Sequence, residues 1–283
     1  MKKFCIIVDT SSNIKPNEFE DVFVVPMLLT KSEKNIVKTF HDQTDIDTNE
    51  MLKEMVDGEV YKTASPVMGE CLSILEKAVK QYENVFIFSM PKILSGTFNQ
   101  WKLLASEFGN VKVFEFAFAG DNYKQIIKDI FLMKEETISK IEEYINQINK
   151  KNVFSAVIGE TKYLVRGGRI SFLKGFLASL FQFKIILQVN CENGLTFYSK
   201  TRKWKNAVEK IQKLFFDSVK ANNNNVEYVC FFTSQIDKKS NFEFLFASFK
   251  KIYSNAKFAF SQLPSVLAAH SGPNYFAISV KLK

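Results

Sequence analysis

Met1-Lys2-Lys3-Phe4-Cys5-Ile6-Ile7-Val8-Asp9 runs directly into Thr10-Ser11-Ser12-Asn13, and the reading of this stretch decides the fold. Its apolar run is about half the length a secretory signal needs before Asp9 interrupts it, so Phe4 to Val8 reads as a β-strand ending in a hydroxyl-rich turn. Working outward, β-branched and aromatic runs recur at Val22 to Leu28, Val85 to Ser89 and Val111 to Phe116. Between them, Pro66 to Gln81, Thr97 to Phe108 and Thr137 to Asn149 keep helical spacing, with Met68, Cys71, Leu72, Leu75 and Val79 predicted on one helix face. This alternation is the signature of βα units around a mostly parallel sheet with flanking helices.

A polar stretch from Asn146 to Asn152 closes the last of those helices, and the alternation restarts with Val153 to Gly159. The chain therefore divides into an N-terminal α/β domain, 1–152, and a C-terminal mixed α/β domain, 153–283. In the second, strands are predicted at Ile185 to Asn190 and Leu195 to Ser199, joined by Glu192-Asn193-Gly194, whose Asn-Gly pair signals a hairpin. Helix Lys203 to Ala221, the Asn222 to Asn225 loop, strand Tyr228 to Thr233, helix Lys239 to Tyr253 and strands Ala256 to Ser261 and Phe276 to Val280 complete it.

With 46% hydrophobic and 24% charged residues over 283 positions, and only 11 Gly and 6 Pro, the chain is globular and outside the disordered and low-complexity classes. Its net charge of +8 is spread along the chain as Lys, which does not favour a nucleic-acid partner. The four cysteines, Cys5, Cys71, Cys191 and Cys230, form no C-x-x-C pair, as expected of reduced thiols in a cytoplasmic protein without a metal site. The apolar stretch Phe172 to Val189 contains Lys174, Gln182 and Lys184 and falls short of a membrane span. The 29 phenylalanines have two readings: an AT-rich coding sequence, or a core suited to a narrow apolar tunnel.

In a parallel α/β sheet, ligands bind at the carboxyl ends of strands, where helix N-termini present unpaired N–H groups. Three hydroxyl-rich clusters fall at such positions: Asp9 to Asn13, Thr63-Ala64-Ser65-Pro66 and Leu94-Ser95-Gly96-Thr97. Each alone reads as a helix cap; together they suit a carboxylate or phosphate. Arg166-Gly167-Gly168-Arg169-Ile170 is either a tight turn or an anion clamp. His270 lies in Ala269-His270-Ser271-Gly272-Pro273, read as a loop before the last strand, with the histidine as a hydrogen-bonding spacer. His41, among Asp42, Asp45 and Asp47, matches no standard metal loop, and Asp47-Thr48 reads as a helix cap. The basic run Lys200 to Lys205, containing Arg202, is a solvated helix start or a surface facing phosphate. No G-x-G-x-x-G, Walker lysine loop or G-x-S-x-G is present, so neither a nucleotide cofactor nor catalysis by this chain alone has support.

Val8-Asp9-Thr10-Ser11-Ser12-Asn13-Ile14, Thr63-Ala64-Ser65-Pro66, Leu94-Ser95-Gly96-Thr97, Gly167-Gly168-Arg169-Ile170, Lys184, Arg202 and His270-Ser271-Gly272-Pro273 together resemble the ordered landmarks of the DegV family, across essentially the whole chain. That resemblance implies a two-domain DegV-like α/β fold holding one long-chain fatty acid, similar to the binding subunit of bacterial fatty-acid kinase. It implies that Thr63, Ser95, Gly96, Thr97, Arg169 and His270 surround the carboxylate, and that Arg202 faces a separate ATP-dependent kinase subunit. The resulting acyl phosphate would feed phospholipid synthesis. No catalytic residue, cofactor or metal is implied for this chain. The sequence departs from the family pattern in Val67, in Glu115 to Asp121 and in Gly272-Pro273-Asn274. Two alternatives stand beside this reading: a lipid-binding protein without a kinase partner, and an acyl hydrolase using Ser95 with His270.

Overall fold

The computed structural model describes residues 1–33, 36–151, 153–169, 182–221, 225–234 and 243–283. Asn152 at the expected boundary, Ile170, the apolar stretch from Phe172 to Phe181, most of the four-Asn loop and the start of the helix expected from Lys239 lie outside the described residues. The first half carries strands β1 (Lys2–Asp9), β2 (Val22–Val25), β3 (Leu28–Glu33) and β4 (Ile36–His41), then helix α1 (Thr48–Val56), β5 (Tyr61–Ala64), α2 (Met68–Gln81) and β6 (Tyr82–Ser89). It continues with α3 (Thr97–Ala105), β7 (Val111–Glu115), α4 (Gly120–Leu132) and α5 (Ile138–Lys150). The second half carries β8 (Val153–Ile158), α6 (Lys162–Arg166), β9 (Lys184–Asn190), β10 (Gly194–Thr201), α7 (Trp204–Ala221) and β11 (Val226–Thr233). It closes with α8 (Glu243–Ile252), β12 (Lys257–Ser261), α9 (Ser265–Ser271) and β13 (Tyr275–Leu282).

The first sheet is wholly parallel, in the order β2-β1-β6-β7. The central stretches of β1 (Phe4 to Val8) and β6 (Val85 to Phe88) are continuously apolar because helices cover both faces. Phe4, Ile6 and Val8 pack against α4 and α5, whereas Cys5 and Ile7 pack against α2 and α3. On α2 the buried face is Cys71, Leu75 and Ala78, while Met68 and Leu72 are 49% and 36% exposed, so the buried face is rotated from the predicted one. The strand expected over Val22 to Leu28 is two strands in different sheets, separated at Pro26, which has no N–H to give a ladder. β3 instead joins an antiparallel sheet of order β4-β3-β5 that the sequence reading did not include.

The third sheet is mixed, ordered β10-β9-β8-β13-β11-β12, with only β11 and β12 parallel. The predicted hairpin joins β9 and β10, with Gly194 at φ +64°. One face, including Val157, Ile186, Phe231 and Ile278, is covered by α7 and α8. The other, including Phe154, Leu187, Phe232 and Ala277, faces α9 and side chains from the first half of the chain. The two halves are also tied by a partly buried network: the buried Lys281 ammonium on β13 pairs with Asp129 on α4 at 2.7 Å and with Glu227 on β11, and the Tyr144 hydroxyl donates to Asp129 at 2.8 Å.

Phenylalanine is spent mainly on these interiors. Phe4, Phe86, Phe88, Phe114 and Phe116 form one chain of ring contacts, and Phe215, Phe231, Phe249 and Phe276 belong to another. No described helix is long and apolar enough to cross a membrane.

Candidate functional site

Between α9, the ends of β5 and β6 and the face of the mixed sheet opposite α7 and α8 lies a cavity of about 300 Å³. Its floor follows directly from strand periodicity: Phe154, Ala156 and Ile158 on β8, Leu187 and Val189 on β9, and Tyr275 and Ala277 on β13 all point the same way. Phe154 is the only phenylalanine among the described lining residues.

One end of the cavity is polar. Thr63 and Ser65 from the end of β5, Ser95 and Gly96 before α3, Arg169 after α6, and His270 and Ser271 from α9 all line it. The site residues that converge on the cavity are thus Thr63, Ser95, Gly96, Arg169 and His270. Thr97 is fully buried behind it, its hydroxyl 2.7 Å from the Ser95 hydroxyl and donating to Ser65 Oγ at 3.3 Å. Gln100 on α3 braces this corner by donating to the Pro66 carbonyl at 2.9 Å. Arg202 is not in the cavity: it is exposed, with its guanidinium 5.0 Å from the Phe183 ring.

His270 stands on helix α9 rather than in a loop. Pro264 precedes the helix, Ser265 opens it, and Gly272 ends it with φ +73° and its N–H on the Ala268 carbonyl. The His270 Nε2 lies 2.9 Å from Thr63 Oγ1, while its Nδ1 is buried against Gly167 with no hydrogen-bond partner among the described residues. A Cβ on Gly167 would sit 2.0 Å from that nitrogen, so the first glycine of the pair is there for close approach to the ring. Burial, reinforced by the Arg169 charge, pushes the imidazole down to about 3. His270 is therefore neutral at pH 7, a hydrogen-bonding group and not a cation. Arg169 supplies the positive charge; its Nη1 donates to the Gly167 carbonyl at 2.6 Å, and burial lowers its pKa. Ser95 and His270 share no hydrogen bond among the described residues, so the nucleophile–base contact a hydrolase requires is not formed.

The Asp9 to Asn13 cluster does not join the cavity lining. The Asp9 carboxylate accepts from the Ser11 N–H at 2.9 Å and from the Ser11 hydroxyl, the Ser12 hydroxyl donates to the Asp9 carbonyl, and Thr10 Oγ1 accepts from the Met27 N–H. Asn13 donates to Ser261 Oγ and the Gln262 carbonyl, tying this turn to the second half of the chain. Burial raises the Asp9 carboxyl to about 6. Sequence reasoning placed Ser65 in a hydroxyl cluster without naming it among the carboxylate residues, and it missed the whole apolar floor. Period-two spacing on β8 separates its two faces but does not say which of them lines a cavity.

The family model described as "Uncharacterised protein, DegV family" matches residues 3–283. A DegV domain-containing protein of Mycoplasma genitalium is 31% identical over 228 residues, spanning 75% of this chain and 74% of the relative. Among solved structures, a fatty-acid-binding DegV protein from Bacillus subtilis superposes with a TM-score of 0.83 at 18% identity over 100% of both chains. A Thermus thermophilus DegV family protein, described for its fatty acid binding, gives 0.82 at 20% identity over 99% of this chain and 100% of that one. The Streptococcus pneumoniae fatty acid kinase B3 protein, loaded with linoleic acid, gives 0.78 at 16% identity over 99% and 100%.

Proposed function

This chain belongs to the DegV family, and from that premise we propose that it binds one long-chain fatty acid and presents the carboxylate to a separate ATP-dependent kinase subunit, which forms the acyl phosphate. The observation that carries this reading is the cavity with an apolar floor and one polar end where Thr63, Ser95, Arg169 and His270 meet. Each methylene buried on such a floor contributes about 0.8 kcal/mol before ordering costs are deducted. A carboxylate taken from water costs several kcal/mol unless it finds donors, so the two ends of the cavity suit the two ends of a fatty acid.

In this proposal the neutral His270 donates its Nε2 proton to Thr63 Oγ1, which leaves the Thr63 hydroxyl proton for the carboxylate. The guanidinium of Arg169 supplies further donors, and on binding the Ser95 hydroxyl turns its proton from Thr97 Oγ1 to the carboxylate. Acyl-phosphate formation requires ATP and a metal ion bound by another chain, and Arg202, exposed and outside the cavity, is the residue proposed to face it. The fatty acids named for the solved relatives support this reading.

Native mass spectrometry and solvent extraction of the purified protein test it: a stoichiometric fatty acid is expected, and a bare protein mass with no extractable acid would end the proposal. Ser95→Ala should keep the fold and weaken fatty-acid affinity by about 1.5–3 kcal/mol, roughly ten- to a hundredfold, as for one lost hydrogen bond to a charged group. Unchanged affinity in a direct binding titration would remove Ser95 from the carboxylate site. Acyl-phosphate production with a cognate kinase separates a presenting subunit from a stand-alone carrier.

A further inference from the structure

His41, at the end of β4, has a carboxylate on each ring nitrogen. Its Nδ1 lies 2.9 Å from Asp45 Oδ2, in the turn that follows the strand, and its Nε2 lies 3.5 Å from Glu70 Oε1, in the first turn of α2. A neutral imidazole carries one N–H and one lone pair, so only the imidazolium can donate to both carboxylates at once. The two contacts are not equivalent. Asp45 Oδ2 also accepts from the His41 backbone N–H at 2.7 Å, and the Asp45 N–H donates back to the His41 carbonyl at 3.0 Å, so this carboxylate is fixed by its own turn. The proton on Nδ1 is therefore the one retained in the neutral ring, and deprotonation leaves the Nε2 lone pair facing Glu70. Among the described residues, Asp45 and Glu70 are the charged groups facing this ring, one from the turn after β4 and one from α2. The Asp45 hydrogen bond, followed by the Glu70 charge, holds the imidazole above its ordinary value of 6.5.

The helix turn to which Glu70 belongs lacks a side-chain cap. Val67 precedes α2 in extended conformation and caps no N–H, and Val67, Met68, Gly69 and Glu70 are all exposed. The first backbone bond of the helix runs from the Cys71 N–H to the Val67 carbonyl at 3.0 Å. Just upstream is Ser65 of the cavity lining, and Gln100 holds the intervening Pro66 carbonyl at 2.9 Å. Leu28 of β3 pairs with Ala64 on one side and with His41 on the other. His41 and Ala64 thus stand in one row of the small antiparallel sheet, and the Glu70 contact closes the segment from 64 to 70 back onto that row.

We propose that His41 is a pH-sensitive latch: as the imidazolium it ties the uncapped first turn of α2 to β4, and on deprotonation it releases that turn and loosens the Ser65 side of the cavity's polar end. The latch is closed below the folded-state pKa of His41 and opens as pH rises through it. It stands whatever the cavity holds; its effect on ligand exchange rests on the fatty-acid reading given above.

The chain has two histidines, so ring NMR signals of isotope-labelled protein follow His41 directly, with His41→Gln assigning the signal. Its titration midpoint is expected above 6.5, with the proton on Nδ1 in the neutral form, and Glu70→Gln is expected to lower that midpoint. Amide hydrogen exchange at Cys71 and Leu72 reads the helix turn, with parent and variant compared at one pH so that the intrinsic pH dependence cancels. At pH 6, His41→Gln and Glu70→Gln are each expected to exchange about two- to fivefold faster than the parent, the scale of a partly exposed ion pair, and at pH 8.5 all three are expected to match. A His41 midpoint at or below 6.5, or equal exchange in parent and variants at pH 6, would overturn the latch. Equal rates of oleic acid release to phosphatidylcholine vesicles from parent and His41→Gln at pH 6 would overturn its link to the cavity. A protein that binds no fatty acid ends the functional reading, and the exchange result then decides the latch alone.

Discussion

Replacing Gly272 by alanine is expected to destabilise the protein by about 3–5 kcal/mol, the sum of a backbone penalty and an overpacking penalty. Gly272 ends α9 at φ +73° and ψ −173°, a region of backbone space essentially closed to residues with a Cβ. The added carbon would also lie 2.1 Å from the ring of Tyr163, which is held in place by α6 and by its hydroxyl on the Met55 carbonyl. Relief requires moving either α6 or the last turn of α9, and that turn carries His270. Gly168 supplies the control: it has φ +72° with open space where a Cβ would go, so Gly168→Ala should cost only about 1–2 kcal/mol of backbone strain. Urea unfolding of the two variants against the parent measures both numbers. Equal costs for the two would mean that the Tyr163 contact is relieved without effect.

The second large effect is a pH dependence centred on His270. Its folded pKa of about 3 lies below the ordinary value of 6.5, because burial and the Arg169 charge disfavour the imidazolium. Above about pH 6.5 both folded and unfolded states are neutral here and the group contributes nothing to pH dependence. Below it, only the unfolded chain takes up the proton, so stability falls with acidification until the folded imidazole titrates near 3. By pH 4.5 this amounts to about 2–3 kcal/mol. Asp9 works in the opposite sense: its folded carboxyl, raised to about 6, takes up a proton before the unfolded one does and favours the fold as pH falls from about 6 to 4. The experiment is therefore a difference. Between pH 7.5 and 4.5, His270→Gln should gain about 2–3 kcal/mol relative to the parent. Parallel stability curves for the two proteins would show that His270 is not held neutral.

Much of the first sheet was legible because its physics is local. A strand with Phe4, Ile6 and Val8 on one side and Cys5 and Ile7 on the other needs helices on both faces, and the sequence supplies them in order. The Asn193-Gly194 turn was legible for the same reason: it dictates its own backbone. The antiparallel β4-β3-β5 sheet was not legible, since Ile36 and Val37 on β4 are exposed and β5 is only four residues long. Neither strand has a core-facing pattern to announce it. Helix α4 had the right spacing in Tyr123, Ile126, Ile127 and Ile130, but the Phe-Ala-Phe-Ala run before it obscures its start at Gly120.

At the site, the hydroxyls of Thr63 and Ser95 were readable as strand-end clusters. Asp9 to Asn13 looks the same in sequence and folds back on its own backbone instead. What separates them is tertiary: Thr63 and Ser95 line the cavity on the α9 face of the mixed sheet, and the Asp9 to Asn13 turn does not. That is also why the floor was missed. Alternation on β8 shows that Ala156 and Val157 face opposite ways, but not which of the two layers is filled by helices and which is left hollow.

β13 follows every other named strand in the sequence, yet it is inserted between β8 and β11 in the interior of the six-stranded sheet. During synthesis, therefore, β8 and β11 emerge with open ladder edges and stay unpaired until this late segment arrives, a window in which nascent chains are prone to associate with one another. Tyr275 and Ala277 belong to the same segment, so the hollow acquires its full floor only once β13 is in place.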